Sequence, residues 1–480
     1  MPLLKLAPEL LHGIVDHLRN VDTLHLSSTS RWMRELLAGR AFKHLVFTNC
    51  PRVANSALLA AKRHGRHVKT MSFIGSSGED DWDLSDERDE EHMEYLDVWR
   101  RKRHYCECDN CALCRRERGT ANQRLLVVHE LNTLPSGAWK LLEGGRTLMP
   151  NLEQVAISFT YRFGGLQNDD FCIGFDFFEE QEASWPAIHE GERQTAMRRF
   201  WADTYQALSS GATPPSLSIK SWPPRGVSTF ETEKWREYLQ QLEIFEISII
   251  ELLDEYRGAG TGMVGFRQGI ANMSIYFFNH LTELRTLKVT FDENGPAGLQ
   301  DPRHPFLVGF PWTTTSMPKL ERLELTHVFV CQALIDFMVQ HKHLHTVILH
   351  NAYAHTVAGL DWVMEGALSW RGFFNRLTSR LEAGDLALRH FSFKSNILPY
   401  CFEDYDDDIT EELISANEYM SEYERVFAYG DVEVSELETF SELVTLQLNA
   451  DETVPSFCEG KDQAAYDRFR KQLAAMRKWD

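Results

Sequence analysis

The chain has 480 residues, 43% hydrophobic and 25% charged, a globular mixture with ample apolar material for a large core, which excludes general disorder. Seventy Asp and Glu against fifty Lys and Arg leave a net charge of -20, a balance that repels phosphate backbones and makes a protein partner the better expectation than nucleic acid. The apolar opening is broken by Pro8 and Glu9 without a small-residue cleavage site, and no stretch approaches the ~20 apolar residues of a membrane span, so neither secretion nor membrane insertion is expected.

Leu10, Leu11, Ile14, Val15 and Leu18 share one helical face, and Pro8 and Glu9 suit a first turn, so a helix is expected from about Pro8 to Leu18. Asn20 and Asp22 supply turn and cap chemistry for a short second helix carrying Leu24 and Leu26. Ser30 can cap a third, carrying Trp32, Met33, Leu36 and Leu37. A unit of about 40 residues buries too little surface to stand alone, so other polypeptide must cover its apolar faces.

In order and spacing, Leu6-Ala7-Pro8-Glu9-Leu10-Leu11, Ile14, Leu18, Asp22, Leu24, Leu26, Ser30-Arg31-Trp32 and Leu36 resemble the F-box, over roughly positions 4 to 40. Ala7 departs from the family, which commonly has proline there. The resemblance implies that these helices dock on the Skp adaptor, which links to a cullin and to a RING subunit carrying the ubiquitin-conjugating enzyme. It implies contact or contact-supporting roles for Leu6, Pro8, Leu10, Leu11, Ile14, Leu18, Leu24, Leu26 and Trp32. In the alternative, the same helices cap the array behind them, and the chain is an interaction scaffold outside any ligase. A DNA-reading helix-turn-helix is disfavoured, because no helix carries a basic stripe.

Down the body, a triplet of apolar positions recurs as Phe42/Leu45/Phe47, Val68/Met71/Phe73, Leu152/Val155/Ile157 and Leu284/Leu287/Val289. It continues as Leu320/Leu323/Leu325, Leu344/Val347/Leu349, Leu388/Phe391/Phe393 and Leu443/Leu446/Leu448. The last two apolar residues of each triplet flank another residue, which places them on one face of a short strand. This pattern resembles the leucine-rich repeat, with Cys50, Asn351 and Asn396 at the turn where that family places a small polar residue. Helical stretches at 53 to 64, 331 to 342 and 360 to 383 imply parallel strands with helical crossovers. Eight such strands make a curved sheet with an edge of roughly 35 Å. Repeats of this kind recur every 20 to 29 residues, and the longer intervals here imply insertions at about 74 to 149 and 160 to 280. Long acidic-tract insertions resemble those of the divergent F-box families of filamentous fungi.

Cys106, Cys108, Cys111 and Cys114, with His104 as a substitute ligand, could hold a structural zinc, although so tight a loop strains tetrahedral geometry. Reduced surface cysteines are the alternative, and nine cysteines without a paired framework point to a reducing compartment, the cytoplasm or nucleus. Gly260, Gly262 and Gly265 fit a dinucleotide-binding template but follow an expected helix, Glu237 to Arg257, where such a site needs a strand. His341, His343 and His345 lack a carboxylate at ligand spacing, and no nucleophile or acid/base motif stands out. The expectation is an α/β chain, an F-box at 1–40 and an irregular leucine-rich-repeat solenoid at 41–480. It would act as a non-catalytic substrate-recognition adaptor of a ubiquitin ligase feeding proteasomal degradation, without a cofactor.

Overall fold

The computed structural model describes residues 13–15, 17–18, 20–78, 132–162, 184–250, 253–254, 258–259, 264–291, 295–299, 308–313, 315–355, 366–395, 427–436, 442–448, 453, 456 and 458–476. Residues 13–15 are helical and lead to α1 (Asn20–Ser28) and α2 (Arg31–Ala41). Ser30 is extended and its hydroxyl accepts the Met33 N–H at 3.1 Å, so one orphan donor of α2 is satisfied by the residue expected to do so. Val15, Met33 and Leu37 form a small buried core, backed by Leu18, Leu26 and Leu36.

Strands and helices then alternate. β1 (His44–Thr48) is followed by α3 (Pro51–His64), β2 (Thr70–Gly78), α4 (Ser136–Leu148) and β3 (Gln154–Arg162). Next come α5 (Trp185–Gln194), α6 (Ala196–Ser209), β4 (Ser216–Trp222), α7 (Glu233–Gln240) and β5 (Ile244–Ile249). Two short strands, β6 (Leu253–Asp254) and β7 (Gly258–Ala259), precede α8 (Val264–Ala271), α9 (Met273–Tyr276), β8 (Thr286–Thr290) and β9 (Arg322–Thr326). The described chain closes with α10 (Gln332–Gln340), β10 (Thr346–His350), β11 (Ala354–His355), α11 (Trp370–Glu382), β12 (His390–Lys394), β13 (Tyr429–Glu436), β14 (Glu442–Leu448) and α12 (Lys461–Met476).

Nine strands form one open parallel sheet in the order β1-β2-β3-β4-β5-β8-β9-β10-β12. Because every pair is parallel and the order follows the chain, each crossover returns to the same end of the sheet and adds the next strand at the growing edge. The result is compatible with an α/β solenoid. One backbone junction recurs along it: the Lys43 carbonyl accepts the N–H groups of Lys69 and Thr70, and the carbonyls of Lys69, Pro215, Glu243, Arg285, Glu321 and His345 each accept two N–H groups from the next strand.

One face of each main-sheet strand is buried, as in Leu45/Phe47, Val155/Ile157, Leu287/Val289 and Phe391/Phe393, and these residues join a continuous core running from Leu45 to Leu473. Two aromatic groups thicken it. Trp235 lies among Tyr205, Phe230 and Tyr238, and its indole N–H donates to the Tyr276 carbonyl at 3.0 Å. Near the last strand, Trp370, Phe374, Phe391, Tyr466 and Phe469 pack α11 and α12 against β12. Asp462 of α12, buried, accepts the Arg371 N–H at 2.8 Å and the Tyr429 hydroxyl at 2.9 Å, so it ties the terminal helix to two elements. Gly269 permits a close approach, since a Cβ there would lie 1.5 Å from the Pro224 oxygen.

Several expectations need correction. The span 160–280 is not wholly an insertion, since it supplies β4 and β5 of the main sheet. The helix expected from Glu237 to Arg257 stops at Gln240 and gives way to β5, because Phe245, Ile247 and Ile249 point alternately into the core. Within 74–149, the described α4 packs against α3 as an ordinary crossover element. The triplet Leu443/Leu446/Leu448 falls in β14, which belongs to a second sheet ordered β11-β13-β14-β7-β6 and pairs antiparallel with β13.

Candidate functional site

Two surfaces present side chains that folding alone leaves unused. In the head, Val15, Met33 and Leu37 turn inward, while Ile14 and Trp32 are each 43% exposed. Large apolar side chains left half in water on so small a core are candidate contact residues. Leu18 and Leu26 are half-buried against the same core. Of the remaining residues that the resemblance implies, Leu6, Pro8, Leu10 and Leu11 lie outside the described residues, and for Leu24 the description covers only its place in α1.

The second surface is the face of the main sheet opposite the buried one. Strand register aligns Val46, Ser72, Ala156, Ser218, Glu246, Lys288, Glu324, Ile348 and Ser392 in one row across it, of which Ser218 alone is fully buried. Its first half is small and neutral in this row, and its second half carries charge. Lys288 Nζ lies 3.1 Å from Glu324, and Arg322 Nε–H donates to Glu324 Oε1 at 2.6 Å. Burial pushes the Glu324 carboxyl upward, but the bonds and charges of Arg322 and Lys288 outweigh it and hold it below the usual carboxylate range. His350, beside Glu324, Lys394 and Lys288, is lowered chiefly by burial.

The strand exits show what the turn residues do. Asn49, and not Cys50, binds the neighbouring coil: its amide donates to the Ser76 carbonyl at 3.1 Å and its carbonyl accepts the Ser76 N–H at 3.0 Å. Asn351 adopts a left-handed backbone, φ 45°, and its amide meets the His327 ring at 3.2 Å. Asn396 lies outside the described residues.

The four clustered cysteines and His104 also lie outside the described residues. Among the described residues, no group of three or more His, Cys, Asp or Glu is placed to hold a metal ion, and no helix is long and apolar enough to cross a membrane. His341 is buried and bonded on both ring nitrogens to carbonyls, Phe337 at 2.8 Å and Ser316 at 2.7 Å, so it serves the packing of α10. Cys331 is buried, which pushes its thiol up to about 11 and disfavours the reactive thiolate. Gly265 lies buried in the first turn of α8, and Gly260 and Gly262 lie outside the described residues.

No sequence motif marks Glu246, Lys288, Arg322, Glu324 or His350. A signal for them existed, because they occupy the positions that alternate with the buried apolar residues. Compared with known proteins, the chain matches no family model and no curated protein sequence.

Proposed function

We propose that the chain is a substrate-recognition adaptor of a Skp-cullin-F-box ubiquitin ligase. The observation that carries the reading is a head with its own small core, separate from that of the body, on which Ile14 and Trp32 remain exposed. Those two residues belong to the set that the F-box resemblance assigns to the Skp adaptor. The recurring strand-entry junction and the unbroken order of parallel strands favour reading the body as an irregular leucine-rich-repeat array, with its open face holding a target protein.

In this reading the chain performs no side-chain chemistry. It holds target lysines near a charged ubiquitin carrier, so that transfer becomes effectively intramolecular. The working compartment is the cytoplasm or nucleus. The test is capture of purified Skp adaptor by the full chain and by an Ile14→Asp/Trp32→Asp variant. Both positions are exposed, so the variant keeps its helical content by circular dichroism. Stoichiometric capture lost in the variant is expected. Absence of capture by the unaltered chain, or equal capture by both, contradicts the reading and leaves an interaction scaffold.

A further inference from the structure

At the junction of head and body lies a cleft of 510 Å³, bounded by Gly39 of α2 and by the residues that lead into β2 and β3. Its walls carry Arg66, His67, Lys69 and Arg146, against a single acid, Glu153. Such a concentration runs against a chain whose net charge is -20. Lys69 and Glu153 neutralise each other at 2.6 Å. Arg66 spends its Nε–H on the His67 ring at 3.1 Å, and among the described residues Arg146 has no ion pair.

The helix ends at the cleft offset only part of this charge. The ends of α3 and α4 converge here, where a Cβ on Gly65 would lie 2.1 Å from the Leu148 oxygen. A helix C-terminus is equivalent to roughly half a negative charge, so two of them offset about one cation. Arg66 and Arg146 together with Arg63, in the last turn of α3, exceed that. The excess is felt by His64, which stacks on Phe42 at 4.0 Å: burial lowers its pKa first, and the charges of His67, Arg34, Arg63 and Arg66 lower it further. The cleft is also built rather than incidental, since the Asn151 amide donates to the Arg66 carbonyl at 2.7 Å and pins the turn after α3 to the entry of β3.

We propose that this cleft binds a phosphate-bearing ligand, with the guanidinium groups of Arg66 and Arg146 as the principal anion contacts. Guanidinium groups match phosphate oxygens with paired, charge-assisted hydrogen bonds, which are stronger than neutral ones. The phosphate belongs either to a small molecule or to a phosphorylated side chain of a protein. Because the cleft abuts α2, its occupancy would brace the head against the body.

The test uses the full chain and calorimetric titration with inorganic pyrophosphate, a phosphoserine peptide and the same peptide unphosphorylated. Saturable binding of pyrophosphate or of the phosphopeptide is expected, weakened at least tenfold in Arg66→Gln/Arg146→Gln and unchanged in Lys461→Gln, an exposed position at the start of α12. Pyrophosphate alone identifies a small-molecule phosphate. The phosphopeptide without its unphosphorylated form identifies a protein phosphate. The altered arginines are exposed, and an unchanged thermal midpoint in the double variant separates lost binding from lost folding. No saturable binding of either phosphate probe, equal affinity in the double variant, or equal binding of the unphosphorylated peptide overturns the proposal.

Discussion

The head and the body solve the same burial problem in opposite ways. Each strand of the main sheet buries its apolar face and lends the next strand a backbone edge, so the body's core runs unbroken from Leu45 to Leu473. The head buries Val15, Met33 and Leu37, then leaves Ile14 and Trp32 in solvent. The body leaves large apolar side chains in solvent too, Val46 and Leu59 at 55% each, but stacking gives it a long continuous core beneath them. The head's exposed apolar surface is the kind that another polypeptide completes.

The sharpest way to test this contrast is to damage each core in turn. Trp235→Ala removes a fully buried indole and its bond to Tyr276, so it should cost about 3–5 kcal/mol and shift the main urea transition. Leu37→Ala should cost about 2–3 kcal/mol, confined to the head: amide exchange over residues 20–41 accelerates while the main transition stays in place. A single cooperative transition lowered by both variants would merge the two cores into one. Ser30→Ala should loosen α2 by about 1 kcal/mol, read from the same amides.

On the body's open face, Glu324 has a folded pKa held below its unfolded value of 4.5. Its contribution is therefore fully present above that value and is lost as pH falls through the folded pKa. Glu324→Gln should then show a smaller loss of urea stability than the unaltered chain between pH 6 and pH 3. A pH profile identical to that of the unaltered chain would remove the ion pairs with Arg322 and Lys288 from the account. The smallest effect on folding belongs to Trp32→Ala. It should stay within about 0.5 kcal/mol because the side chain is exposed, yet sharply weaken capture of the Skp adaptor.

Much of this architecture was readable in the residues themselves. Seven of the eight apolar triplets place their last two residues in main-sheet strands, because an apolar-x-apolar pair can bury one strand face wherever it occurs. β5 was also written in the pattern, as Leu242/Phe245/Ile247, but its flanks read as continuous helix. β4 was hidden by Pro214, which stands where the triplet expects its first large apolar residue. The Ser30 cap was local and therefore visible. The Lys288–Glu324–Arg322 cluster and the basic cleft were not, because both depend on register and helix packing between segments distant in sequence.

Hydrogen-deuterium exchange of the full chain with and without purified Skp adaptor tests the central claim most directly. The account predicts new protection concentrated in residues 13–41, with the strands of the main sheet unchanged. Saturating adaptor that leaves those amides exchanging as before, or protects only the sheet, contradicts it.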